Sequence, residues 1–306
     1  MTLIDGGEHI VAARRTLEAS LSLLGASVGD ISQFLVTHIH RDHYTQAVAI
    51  RNEFGTRIKL GAHERASLEL IHGDSAHPAK RQQIFLLRCG AADLAAQVSP
   101  NDPLQGDLQN LYQFPDEWLS DGEELDVSGR RLLVVSTPGH TQGHVVFCDP
   151  KEKIVFAGDH VLPHITPSIG LEPVRADLPL GDYLASLHKL RQLPEAQILP
   201  AHGPVVESMH LRIDELLEHH RVRLSHTFEA VAQGCSSVYD VARKLKWTGR
   251  GRDFFELDLF NQVLAVFETK YHLDLLGFQG LLEASNQNDV VQYSVIAATA
   301  AAGEGA

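Results

Sequence analysis

Thr37-His38-Ile39-His40-Arg41-Asp42-His43 follows the apolar run Phe34-Leu35-Val36 and places three imidazoles and a carboxylate between positions 38 and 43. The apolar run reads as a buried strand. If that strand continues, alternation puts His38 and His40 on one face, and Asp42 and His43 follow where the chain turns off. Neutral imidazole and carboxylate together are ligands for Zn²⁺ and its neighbours, and a site with more donors than one tetrahedral ion uses points to two ions. Eighteen histidines make some clustering a matter of chance, and a lone histidine near an apolar strand is usually a core or surface residue. The compact H-x-H-x-D-H spacing, with further His and Asp at other strand ends, favours the metal site.

At 306 residues the chain suits one large domain of about 200 residues plus a smaller one. With 44% hydrophobic and 21% charged residues the composition is that of an ordinary globular protein, and cytoplasmic is the default expectation. No apolar run approaches the roughly 20 residues that span a bilayer, so no membrane partner is expected. Cys89, Cys148 and Cys235 are far apart and none neighbours a candidate ligand, which indicates neither a disulfide framework nor a cysteine zinc site. The formal charge of −13 disfavours nucleic acid as partner over most of the surface. Arg243, Lys244, Lys246, Arg250 and Arg252 are a local exception, read first as a solvated helix end and turn.

Along the chain, a strand at 2–5, a helix at 9–24, the strand at 31–40, a short helix at 46–54 and a strand at 57–60 give the alternation of a layered α/β domain. The less regular stretch 62–121, with helices expected at 64–71 and 78–97, reads as a lid or substrate-side insertion. Strands return at 131–136, 144–148, 153–157 and 197–199. The first runs into Thr137-Pro138-Gly139-His140-Thr141-Gln142-Gly143-His144, the third into Gly158-Asp159-His160 and the last into Pro200-Ala201-His202-Gly203-Pro204. Ligands at the carboxyl ends of strands converge on one edge of a sheet, where loops build a site without disturbing the core. Helices at 209–233, 238–245 and 257–276 with a strand at 290–295 fit a winged-helix-like arrangement. The expected domains are therefore 1–207 catalytic, 208–296 helical and winged-helix-like, and 297–306 a disordered tail.

These motifs resemble the metallo-β-lactamase-fold hydrolases in the family's order: His38-x-His40-x-Asp42-His43, His140 in T-P-G-H-T-x-G-H, Asp159 in A-G-D-H and His202 in P-A-H-G. The resemblance covers residues 1–207, and the C-terminal helices look like the extension of the lactamase-beta-2-like branch, whose motifs are also similar to glyoxalase II. It implies an αββα sandwich with His38, His40 and His140 on one zinc, Asp42, His43 and His202 on the other, and Asp159 bridging both. Asp5 matches an aspartate that supports the site without ligating, and Thr141 and His144 are expected to shape the His140 loop. His160 and His164 are expected to be structural or substrate-facing. Family members begin with a β-hairpin ahead of the strand at 2–5, where Met1 stands here. A sheet edge is therefore expected to need cover, which a homodimer would supply.

The resemblance implies a hydrolase in which a hydroxide shared by two Zn²⁺ ions, from a water whose pKa is about 15.7 in bulk, attacks the substrate. Asp42 is the expected catalytic residue, orienting that hydroxide or returning a proton, and Mn²⁺ or Fe²⁺ are alternative metals. A small-molecule ester, thioester or lactone is the expected substrate, ahead of a phosphodiester or RNA cleaved in the lactamase-beta-2-like manner. The short span between Asp159 and His202 leaves no room for the inserted domain of the β-CASP nucleases. An iron-dependent oxidoreductase ranks third, because His40 stands where flavodiiron proteins carry an acid.

Overall fold

The structure, a computed structural model, describes residues 1–73, 78–98 and 108–296. The chain opens β1 (Thr2–Ile4), α1 (Val11–Leu23), β2 (Gln33–Val36), α2 (Arg41–Phe54), β3 (Arg57–Gly61) and α3 (Arg65–His72). Then come α4 (Pro78–Arg88), α5 (Ala92–Gln97) and the single turn α6 (Leu108–Leu111). Five strands and a helix follow: β4 (Glu117–Leu119), β5 (Glu124–Val127), β6 (Arg130–Ser136), β7 (Val145–Asp149), β8 (Ile154–Gly158) and α7 (Pro179–Arg191). The chain continues through β9 (Gln197–Pro200), α8 (Met209–Ala232), α9 (Val238–Lys244), α10 (Leu259–Phe278), β10 (Leu282–Gln287) and β11 (Val290–Val295). Two compact units result. Residues 1–73 and 108–218 belong to the first, and 78–98 and 219–296 to the second.

The first unit is built on two sheets. One has the order β1-β2-β3-β4 with parallel pairs, and β1 lies at its edge. The other has the order β5-β6-β7-β8-β9, antiparallel except for the parallel β8–β9 pair. Alternation along β2 explains the layering. Phe34 and Val36 face a core with Leu21 of α1, Tyr44, Val48 and Ile50 of α2 and Leu68 of α3, whereas Leu35 faces Leu132, Val134, Val145 and Phe147 of the second sheet. Beyond that sheet, Ser186 and Lys189 of α7 donate to the carbonyls of Pro138 and Ser136.

The strand expected across 31–40 stops at Val36, a correction with a physical cause. The Thr37 N–H is taken by the Asp5 carboxylate at 2.7 Å in place of a further main-chain acceptor on the β1 side, the Thr37 carbonyl accepts from the Val145 N–H, and residues 37–40 form a loop. His38 and His40 therefore do not share a strand face. Helix α2 begins at Arg41, not near 46, and Asp42 lies in its first turn, where a carboxylate complements the helix dipole.

The second unit consists of helices and one β-hairpin. Residues 78–98, expected as part of a lid, are tied into it. Tyr239 of α9 donates its hydroxyl to Asp93 at 2.6 Å and its N–H to the Cys89 carbonyl, and Phe85 meets Phe267 at 4.1 Å between ring centroids. Arg223 stacks over Trp247 at 3.8 Å. β10 and β11 turn through Asn288 and Asp289, both at positive φ, as a two-residue hairpin loop demands. The tail expected at 297–306 lies outside the described residues. Among the described residues no helix is long and apolar enough to cross a membrane.

Phe147 is fully buried between the two sheets. Phe147→Ala is expected to destabilise the first unit by about 3–5 kcal/mol, read as a lowered urea midpoint; an unchanged midpoint contradicts a packed inter-sheet core.

Candidate metal centre

Four strand ends supply the seven residues singled out by the motifs. The loop after β2 carries His38 and His40, the first turn of α2 carries Asp42 and His43, the β6–β7 connection carries His140, and Asp159 and His202 follow β8 and β9. They converge in overlapping triads: His38, His40 and His140; Asp42, His43 and His202; and His38, His43 and Asp159. His140 Nε2 lies 3.2 Å from His38 Nε2 and 2.9 Å from His40 Nδ1. Asp42 Oδ2 lies 3.1 Å from His202 Nε2. Asp159 stands between the groups, with Oδ2 3.6 Å from His140 Nε2 and Oδ1 3.6 and 3.5 Å from Nε2 of His43 and His202.

The far nitrogens of the first triad are already committed. His40 Nε2 donates to the Leu171 carbonyl at 2.8 Å and His140 Nδ1 to the Ser168 carbonyl at 2.6 Å. His38 Nδ1 meets the Thr37 hydroxyl at 3.0 Å, and that hydroxyl in turn reaches the Asp5 carboxylate at 3.0 Å. Each ring thus turns a bare lone pair toward the other two, since a neutral imidazole carries one N–H. Three converging lone pairs with no proton among them call for a cation. In the second triad His43 Nε2, and beside it Asp159 Oδ1, are buried without a hydrogen-bond partner among the described residues, an arrangement that is costly unless an ion fills it. The donor set fits a pair of divalent ions such as Zn²⁺.

Asp5, expected to support the site, accepts from His43 Nδ1 at 2.9 Å as well as from Thr37. His144 bonds Thr137 Oγ1 through Nδ1 and accepts the Asp159 N–H through Nε2, which links two motif loops. Gly158 has φ +49°, and a Cβ there would sit 2.6 Å from Thr37 Oγ1 and 2.8 Å from His144 Nε2, so only glycine lets β8 pass this network. His160 is buried against Tyr183 and His144, and His164 is exposed.

Electrostatics separate the triads. Burial pushes His38, His40 and His140 below the ordinary imidazole range, His40 to about 4, so these rings are neutral. At His43 burial also works downward, but the Asp5, Asp42 and Asp159 carboxylates outweigh it and raise the ring to about 10. Burial pulls Asp42 upward, yet His202 and His43 beside it hold its carboxyl well below the usual range. The hydrogen bond to Asp42 raises His202, and burial raises Asp159. Exposure differs too: the Asp42 and His202 side chains are 46% and 48% exposed, while the first triad is largely enclosed. The centre is therefore open to solvent on the Asp42–His202 side.

Several supporting groups escape a reading of the motifs. Ser168 and Leu171 act through main-chain carbonyls, which every residue carries. Glu64 and Glu172 are single acids outside any motif, yet both are buried and both hold the His140 loop: Thr141 Oγ1 donates to Glu64 and the Gln142 N–H to Glu172. Their only sequence signal is an acid in an otherwise structural stretch.

A family model described as the metallo-beta-lactamase superfamily matches residues 2–202. A Bacillus subtilis protein named "Probable metallo-hydrolase YqjP" is 23% identical over 304 residues, 97% of this chain and 90% of that protein. A beta-lactamase-like protein 2 homolog of Caenorhabditis elegans is 36% identical over 106 residues, 35% of this chain and 33% of that protein. The crystal structure of a metallo-beta-lactamase family protein from Thermus thermophilus is similar at a TM-score of 0.79 and 27% identity, covering 96% of this chain and 89% of that one.

Burial, and then the neighbouring Glu64, raise the Glu172 carboxyl from 4.5 to about 9. The folded chain thus keeps a proton that the unfolded chain loses, and stability falls as pH rises from about 4.5 toward 9. Glu172→Gln keeps the acceptor for Gln142 and removes the ionisation. Urea unfolding at about pH 6 and 8.5 is expected to show a flatter dependence in the variant, by roughly 1 kcal/mol or more, since each tenfold change in proton affinity is worth about 1.4 kcal/mol; equal slopes contradict the assignment.

Proposed function

Because this chain belongs to the metallo-β-lactamase superfamily and is a metal-dependent hydrolase of it, we propose that it is a binuclear zinc hydrolase of a small ester, thioester or lactone. The observation that carries this reading is the pair of triads meeting at Asp159, with Nε2 of His43 and Oδ1 of Asp159 left without a hydrogen-bond partner among the described residues. In this reading His38, His40 and His140 hold one ion, Asp42, His43 and His202 the other, and Asp159 both. Bound there, the ions supply an acidified water as nucleophile and polarise the oxygen of the substrate bond under attack.

The chain's own residues do the rest. The enclosed first triad excludes water from one side. We read half-exposed Asp42, kept ionised by His202 and His43, as the hydrogen-bond acceptor that orients the nucleophile. The mixed His and Asp donors would suit zinc, and Mn²⁺ or Fe²⁺ would use the same donors. The net charge of −13 supports a small substrate over a polyanion. A phosphodiester is the second reading, for which exposed Arg243, Lys244, Arg250 and Arg252 are the supporting feature. We read the α9, α10 and β10–β11 order as winged-helix-like, and a homodimer through the β1 edge as the expected assembly.

Elemental analysis of purified protein, with hydrolysis assays on a thioester, a lactone and a bis-aryl phosphodiester, tests this. Two zincs per chain are expected. Asp159→Ala is expected to lose metal and activity beyond the roughly 10–100-fold that outer partners cost. One iron per chain, or a folded protein with neither metal nor hydrolysis, overturns the reading.

A further inference from the structure

We propose that Glu64 is a positioning residue for the His38, His40 and His140 triad, a single buried carboxyl that sets the metal affinity of that triad without touching metal or substrate. The inference rests on the reading of that triad as a metal site.

Glu64 ends the short turn Ala62–Glu64 after β3 and is fully buried. Its Oε1 accepts the Ile39 N–H at 3.3 Å and the Thr141 hydroxyl at 2.5 Å. Ile39 stands between His38 and His40, and Thr141 follows His140. One oxygen therefore joins the two loops that deliver all three imidazoles. The loops also meet at the strand ends, where the Val145 N–H donates to the Thr37 carbonyl at 2.8 Å, but Glu64 makes the link at the level of the ligands. The His140 loop is seated directly on it: a Cβ at Gly143 would lie 2.3 Å from both Glu64 N and Cγ.

A buried carboxyl is costly unless its hydrogen bonds return the cost, and Glu64 Oε2 has no hydrogen-bond partner among the described residues. The group is thus poorly explained as core filler. It is well explained as the acceptor that fixes two loops carrying converging, mutually repelling lone pairs. Asp5 plays a different part, reaching His43 directly and His38 through Thr37, so it spans both triads, whereas Glu64 bonds only the two loops that carry the first. The acceptor oxygen, not the charge, is the working part. Glutamine at 64 would keep that oxygen and turn its amide toward the position of the unpartnered Oε2.

The test compares wild type, Glu64→Ala, Glu64→Gln and Thr141→Val, each stripped with a chelator and titrated with Zn²⁺ against a chromophoric competitor, with thermal melts alongside. The same set is repeated in a His202→Ala background, where the enclosed triad holds the remaining ion. Glu64→Ala is expected to weaken one of the two ions by about 10–100-fold and to weaken the ion left in the His202→Ala background equally. Thr141→Val, which removes only the hydroxyl, should move the same affinity in the same direction, and Glu64→Gln should bind within about threefold of wild type. Unchanged affinity in Glu64→Ala and Thr141→Val, equal weakening of both ions in step with a lowered melting temperature, or a Glu64→Gln that behaves like Glu64→Ala overturns the proposal. A wild type that binds one ion defeats the binuclear reading alone, since the Glu64 effect on that ion still decides this one.

Discussion

Three imidazole nitrogens within 4.8 Å of one another, none carrying a proton, are an electrostatic demand that the surrounding first unit is arranged to sustain. Left alone, the rings would rotate to find donors. They are prevented because each far nitrogen is spent: His40 on the Leu171 carbonyl, His140 on the Ser168 carbonyl and His38 on Thr37. Such outer hydrogen bonds fix tautomer and ring angle and raise the basicity of the ligating atom. Thr37 follows β2 of one sheet, and Ser168 and Leu171 lie in the connection from β8 of the other to α7, so the inter-sheet core around Leu35 and Phe147 is what holds the loops within reach.

The second group shows the complementary solution. His43 sits among three carboxylates and is proton-loving, whereas the first triad is buried and proton-poor. Asp42, His43 and His202 would hold a cation only with His43 deprotonated, whereas His38, His40 and His140 already turn lone pairs inward. The second group also carries the two half-exposed side chains, Asp42 and His202, so solvent reaches the centre from that side, whereas His38 and His140 are buried.

The seven residues that the structure brings together were legible as a group because their spacing is compact and recurs at strand ends, a pattern that a sequence carries locally. The scaffolding was not. Ser168 and Leu171 act through carbonyls, and Glu64 and Glu172 differ from surface acids only in burial, which depends on contacts far away in the chain. The early start of α2 was hidden because its first position follows His40, which makes no side-chain cap. Residues 78–98 carry helical spacing but no local mark of the unit they join; Asp93 and Phe85 find their partners more than a hundred residues on. The hairpin β10–β11 was half visible, since Leu-Glu-Ala-Ser-Asn-Gln has little of the β-branched or aromatic character of a strand.

The central claim is that two cations sit in this centre, one in each triad, with Asp159 between them. Anomalous diffraction from crystals of the zinc-loaded protein, recorded at the zinc edge, tests it most directly. The account predicts two peaks, one about 2.0–2.2 Å from His38, His40 and His140 and the other at that distance from Asp42, His43 and His202. A single peak, or peaks placed away from Asp159, would contradict it.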